Sequence, residues 1–198
     1  MDKMNDLKAL LRHCVQELYS TEEQIIEAMP AMIAKAENPS LKQALEQHFR
    51  VTEKQRERID QVRQMVGASE ESVTNYTGIL SNLFGAGAKA KGMEGLIDEG
   101  QKIMAENLSA EVMDAAIIGG NQKIEHYEIA AYGTARTYAQ QLGMTDVAQL
   151  LQQTLEEEKR ADDILTGLAV ASVNPQAEMG NMSSTTSNVT SATSNSMS

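Results

Sequence analysis

The sequence predicts an all-α protein: four long helices joined by one weaker connecting region. Three observations predict it. Ala, Leu, Glu, Gln, Lys and Met, the strong helix formers, dominate the 198 residues. Aromatic residues make up only 4% and Trp is absent, whereas Met reaches 12, so the core must be built from aliphatic side chains and Met. Apolar residues recur at spacings of three and four, the period of a helix with one buried face. The chain is long enough for one domain with a substantial core.

The first helix is expected from about Asp6 to Glu37. Leu7, Leu11, Val15 or Cys14, Leu18, Ile25, Met29 and Met32 form its stripe, and Glu22 lies inside that stripe. Pro30 falls late in the span and predicts a kink or short break, because proline removes a backbone donor. Asn38-Pro39 starts the second helix, with Asn as N-cap and Pro at the first helical position. That helix covers Pro39 to Met65. Its stripe reads Leu41, Leu45, His48, Thr52, Gln55, Ile59 and Val62, so His48 and Thr52 occupy positions suited to core residues. Between Gly67 and Gly92 the segments GASEES and GAGAKAKG read as loops flanking a short helix, Val73 to Phe84. Met93 to Met104 reads as a short amphipathic helix. Ser109 caps a long helix reaching Leu142, with Gly143 just past its end. Gly119-Gly120 inside it implies a close helix–helix approach or a bulge near a site. Thr145 caps the last helix, which runs to about Val170 with Val147, Leu150 or Leu151, Thr154, Leu155, Glu158, Leu165 and Leu168 on its stripe and with Ala161 or Asp162 between.

The composition changes at Asn174. From Ser183 to Ser198, 11 of 16 residues are Ser or Thr. Such a segment buries too little apolar surface to offset its ordering entropy, so residues 1–173 are expected to form the domain and 174–198 a disordered tail.

The net charge of −11 argues against nucleic acid as a partner, which requires a basic face. A single cysteine, Cys14, rules out an internal disulfide or a Cys-based metal site. Its place in LKALLRHCVQEL reads as a small buried hydrophobe. No apolar run approaches the ~20 residues of a membrane span. The start MDKMNDLKALL lacks the charged and apolar regions of a signal peptide, which predicts a cytoplasmic setting.

Each long helix therefore carries a polar residue on an apolar stripe: Glu22, His48, Glu125 with Glu128 one turn on, and Glu158 with Asp162 one turn on. Buried carboxylates need compensation or they protonate. Divalent iron or manganese accepts carboxylate oxygen and imidazole nitrogen together. An internal hydrogen-bond network among the same side chains is the alternative. GAGAKAKG lacks the Lys-Ser/Thr of a phosphate-binding P-loop. The adjacent His13 and Cys14 point roughly 100° apart on a helix, a poor geometry for a catalytic pair.

Five blocks in order carry a family resemblance: ELYSTEEQI (Glu17 to Ile25), QHFRVTEKQRERIDQV (Gln47 to Val62), GMEGLIDEG (Gly92 to Gly100), KIEHYEIAAYGT (Lys123 to Thr134) and LLQQTLEEEKRADDILTGLA (Leu150 to Ala169). Together they resemble the YciF-like family of bacterial ferritin-like proteins, from about Asp6 to Val173. The resemblance implies a ferritin-like four-helix bundle with a long crossover connection containing one or two short helices, a homodimer, and a role in stress responses. It also implies a carboxylate-rich non-haem iron or manganese site of one or two ions. Glu22, His48, Glu125, Glu128 and Glu158 match inward ligand positions. Leu45 stands where rubrerythrin-like sites carry a Glu, and Asp162 where related sites place a His. His126 is assigned a supporting or dimer-interface place, and Tyr19 and Tyr132 stand within reach of ligating carboxylates. No Cys-x-x-Cys pair is present for a rubredoxin-type electron donor.

Overall fold

A computed structural model describes residues 5–68 and 89–179. Among them are five α-helices and no strand: α1 (Leu7–Lys35), α2 (Pro39–Val66), α3 (Lys91–Met104), α4 (Ala110–Gln141) and α5 (Thr145–Leu168). A π-helical turn, Ala169–Val173, follows, and residues 174–179 are again helical. Regular helix thus continues past the compositional break at Asn174. The short helix expected at Val73 to Phe84 and the Ser/Thr-rich run from Ser183 lie outside the described residues.

The caps explain where the helices begin. Asp6 Oδ1 accepts from Ala9 N at 2.7 Å to start α1. Asn38 Oδ1 accepts from Ser40 N and Leu41 N at 3.0 and 3.1 Å to start α2, as the Asn-Pro signal predicts. Ser109 caps α4 by accepting from Val112 N. Gly67 and Gly143 take the left-handed conformation just beyond α2 and α4, with φ of 71° and 70°. Thr145 is not a cap. It is the first residue of α5, and Met144 precedes it without a side-chain capping bond.

No break occurs at Pro30: α1 runs through it, with Pro30 itself on the exposed face. Gly119 and Gly120 mark neither a close approach nor a bulge: α4 is regular there, and an added Cβ would meet nothing within 4 Å. The close approach is at Gly92 on α3, where a Cβ would stand 2.8 Å from the Tyr127 ring of α4.

The four long helices form a ring in which α1 packs on α2, α2 on α5, α5 on α4 and α4 on α1. Helix α3, in the connection between α2 and α4, lies against α4 and α1. This is the ferritin-like bundle with its long crossover. Short turns join α1 to α2 and α4 to α5. Asp114 of α4 fixes the first of these by accepting from Glu37 N and Asn38 N at 2.8 and 2.9 Å.

The core has two apolar layers. One gathers Ile25, Met29, Leu41, Leu45, Ile118 and Leu165. The other gathers Leu11, Leu18, Ile59, Tyr132, Leu151 and Leu155. Along α1 and α5 the second layer comes first; along α2 and α4 the first does. Neighbouring helices in the ring are therefore antiparallel. Between the layers every long helix contributes buried polar residues: Glu22, Thr52, Gln55, Glu125, Glu128, Thr154 and Glu158.

Candidate metal centre

The polar layer follows from helix geometry. On α4, Glu125 and Glu128 are three residues apart and so share one face. On α5, Glu158 lies three and four residues beyond Leu155 and Thr154, within the buried stripe. Glu22 interrupts the α1 stripe and His48 that of α2, and all four faces turn toward the bundle axis.

Five of the six predicted residues meet there. Ligand atoms of His48, Glu125 and Glu158 lie within 4.8 Å of one another, as do those of Glu22, Glu128 and Glu158. Glu158 belongs to both groups. The four carboxylates are 0–1% exposed. His48 is the more accessible member, with 12% of its side chain exposed and its Nε2 3.0 Å from Glu125 Oε1.

Asp162 lies outside both groups. It accepts from Gln122 Nε2 at 3.0 Å and stands 3.3 Å from the exposed His126. The reason is rotational. Leu165, not Asp162, continues the buried stripe beyond Glu158, and the fourth residue on is turned about 40° off that stripe. His126, beside Glu125 in sequence, is turned about 100° away and faces solvent.

Two further residues fix the carboxylates. Tyr132, 1% exposed, donates its hydroxyl to Glu22 Oε1 through a short hydrogen bond. Tyr19 does not reach a carboxylate: its hydroxyl accepts from Arg56 and its ring packs under the Arg63 guanidinium at 4.0 Å. Gln55 Nε2 donates to Glu158 Oε1 at 2.5 Å and to Glu157 Oε2 at 3.2 Å. Glu157 is itself held by both Nη atoms of Arg58, at 2.7 and 3.1 Å. The role of Gln55 was readable from its position. Like His48, it is a polar residue on the buried stripe of α2, two turns further along.

The electrostatics are those of an uncompensated cluster. Burial pushes Glu22 up to about 8, against the opposing pull of the Tyr132 hydroxyl and His48. Burial and then the neighbouring carboxylates raise Glu128 and Glu158 well above the ordinary carboxylate range. Burial works against a charged His48, but Glu125 outweighs it and the imidazole is raised.

The residues fit a divalent cation. His48 Nε2 and Glu125 Oε1 face each other at 3.0 Å, and Glu22 Oε2, Glu125 Oε2, Glu128 Oε1 and Glu158 Oε2 are buried without a hydrogen-bond partner. Buried polar atoms are ordinarily satisfied. These six atoms converge from four helices and form a donor set of oxygens and one nitrogen, with no thiolate. Ionised together, the four carboxylates carry the charge that two divalent cations neutralise.

Fold and site together define a ferritin-like four-helix bundle with a carboxylate-rich polar centre. The family described as Domain of unknown function (DUF892) matches residues 6–83 and 80–178, and the chain belongs to it. The chain is 41% identical to Protein YciF of Escherichia coli (strain K12) over 175 residues, spanning 88% of this chain and 97% of that protein. The crystal structure of the E. coli stress protein YciF matches with a TM-score of 0.72 at 40% identity, over 86% of this chain and 99% of that one. YcfI of Rhodopseudomonas palustris, described as a structural protein, matches with a TM-score of 0.72 at 35% identity, over 83% and 95%. A protein of Xanthomonas campestris pv. campestris shares the fold, with a TM-score of 0.66 at 22% identity over 89% and 99%. The sequence resemblance to the YciF-like family is therefore correct. Among the described residues no helix is long and apolar enough to cross a membrane.

Proposed function

We propose that this protein is a stress-associated non-haem iron or manganese protein, acting as a cytoplasmic homodimer, whose centre holds one or two ions. Glu22, His48, Glu125, Glu128 and Glu158 would be the ligands, Glu158 belonging to both groups of converging side chains. The observation that carries this reading is the convergence of six buried ligand atoms on those five residues, four of them without a hydrogen-bond partner. Oxygen donors with one imidazole suit these metals better than thiolate-seeking ones. The bound metal would supply redox chemistry toward peroxide or oxygen. The chain's own residues orient and shield it. Tyr132 holds one oxygen of Glu22 and leaves the other free. Gln55 does the same for Glu158, and the two apolar layers keep water from the centre. Similarity to the E. coli stress protein supports the stress association.

A second reading, a metal-free structural protein, draws on the hydrogen bonds Tyr132–Glu22 and Gln55–Glu158 as an internal network. It leaves four of the six atoms unsatisfied. Elemental analysis of native protein and of Glu158→Ala decides between them. The metal reading expects iron or manganese in the native protein, loss of most of it in the variant, and a melting temperature raised several °C by Mn(II) in the native protein alone. Equal metal content in both proteins would overturn it.

A further inference from the structure

A groove of about 320 Å³ runs along the α2–α5 seam, a size at the lower end of small-molecule sites. Its walls are mostly apolar: Ala44 and Leu45 on α2, and Ala161, Ile164, Leu165 and Leu168 on α5. The two alanines fill little of the space between the helices, so the seam stays open. Ile164 is 47% exposed, a large apolar side chain left facing the groove. His48 also lines it, and among the five residues of the polar centre it is the one with appreciable exposure. The groove therefore opens toward the centre on its His48 side.

One end of the groove is charged. Because α2 and α5 are antiparallel, Val51, Glu157 and Arg160 stand at one end and Ser40 and Leu168 at the other. Glu157 is committed to Arg58. Arg160, exposed, has no ion-pair or hydrogen-bond partner among the described residues. An uncommitted guanidinium at one end, in a chain of net charge −11, above a trough of aliphatic side chains, is complementary to an amphiphile with an anionic head.

We propose that the groove binds an aliphatic monocarboxylate, its carboxylate on Arg160 and its chain along Leu45, Ile164, Leu165 and Leu168, passing His48. Guanidinium and carboxylate match in geometry, and an alkyl chain is the shape that a trough between two helices accepts. The site needs no metal and stands apart from the proposed metal function.

The test is a titration of the metal-free full chain, in chelator, with octanoate, followed by the proton resonances of its three histidines. Saturable movement of the His48 signal is expected, with His13 and His126 unmoved. Affinity should rise by up to about fourfold per added methylene from hexanoate to decanoate. Arg160→Glu, at an exposed position, should weaken octanoate about tenfold and instead favour octylamine. Ala161→Trp, which fills the groove, should abolish binding of both. Because the titration uses the metal-free chain, failure of the metal reading leaves this outcome untouched. The proposal is overturned if the His48 signal does not move, if octanoate and octylamine bind the native chain equally, or if Ala161→Trp binds as well as the native chain. It is also overturned if Ala161→Trp changes the sedimentation of the protein while octanoate has no effect, because the groove would then be covered by a second copy of the chain.

Discussion

The apolar layers and the polar layer between them are built by the same four helices, yet burial acts in opposite directions in the two. Leu11, Leu18, Met29, Leu41 and Leu45 are 0–1% exposed, and so are the four site carboxylates. Withdrawing an aliphatic side chain from water stabilises the fold by about 1.5–3 kcal/mol. Withdrawing a carboxylate without compensation costs several kcal/mol or forces it to take a proton. One bundle thus holds a destabilised band between two stabilising ones. Such a band is what the proposed metal site would cost the fold before metal binds.

The sharpest way to expose the band is pH. Glu22 is held at about 8, against an ordinary 4.5, and Glu128 and Glu158 are also raised well above it. Below about 4.5 the carboxylates are protonated in both the folded and unfolded chains. Between about 4.5 and 8 the unfolded chain has released these protons and the folded chain keeps them. The native state then binds more protons, and the metal-free protein loses stability as pH rises through this window. At about 1.4 kcal/mol per unit, the loss totals several kcal/mol and levels off for Glu22 above about 8. A bound divalent cation replaces the protons, so its stabilising effect should grow over the same range. Urea titrations from pH 5.5 to 8.5 in chelator and in Mn(II) measure both trends. A flat profile in chelator would show that the carboxylates are not strained as described.

Single substitutions should separate the layers by sign. Leu18→Ala removes a fully buried side chain and is expected to destabilise by about 2–5 kcal/mol, with or without metal. Glu128→Gln removes a buried group that must otherwise keep its proton. In chelator at pH 8 it should raise the melting temperature, near pH 5 it should do little, and it should abolish most of the gain from Mn(II). A Glu128→Gln protein less stable than native in chelator at pH 8 would mean that Glu128 is satisfied in a way the unpaired Oε1 does not suggest.

The apolar layers were the more legible region in the sequence, for the same physical reason. Helical periodicity is repeated over many residues, so Leu11, Leu18, Leu41, Leu45 and Leu151 fall inside whatever happens at one position. The polar layer was legible as an interruption of that period, which is how Glu22, His48, Glu125, Glu128 and Glu158 could be picked out. Asp162 was not separable from them, because one turn of α5 spans both the buried stripe and its shoulder, and only the packing of α4 shows which side Gln122 and His126 occupy. Gly119-Gly120 misled because a glycine pair in a helix signals a close approach only when a neighbouring helix is there to make it. Gln55 carried the same signal as His48. An amide is neither charged nor a usual metal ligand, so a search for charge and ligands passes over it. The α2–α5 groove depends on which side chains of two helices about a hundred residues apart meet at one seam, a matter of register between the helices rather than of either stripe.

The smallest expected effect tests the boundary between the layers, at Tyr132. Its ring belongs to the apolar layer of Leu11, Leu18 and Leu151, and its hydroxyl belongs to the polar layer through Glu22. Tyr132→Phe keeps the ring and removes only the hydroxyl, so Glu22 Oε1 loses its donor while the packing survives. Loss of one partner of a buried hydrogen bond costs about 1–3 kcal/mol, and loosening a ligand from its orienting group typically lowers metal affinity 10–100-fold. The variant should therefore melt slightly lower than native in chelator and take up Mn(II) at least tenfold more weakly. Tyr132→Ala adds the cavity left by the ring, and its stability loss should exceed that of Tyr132→Phe by a further few kcal/mol. If Tyr132→Phe shifts stability but leaves the Mn(II) affinity unchanged, Tyr132 serves the apolar layer alone and Glu22 is positioned by other contacts. A change in affinity beyond the change in stability assigns the hydroxyl to the centre.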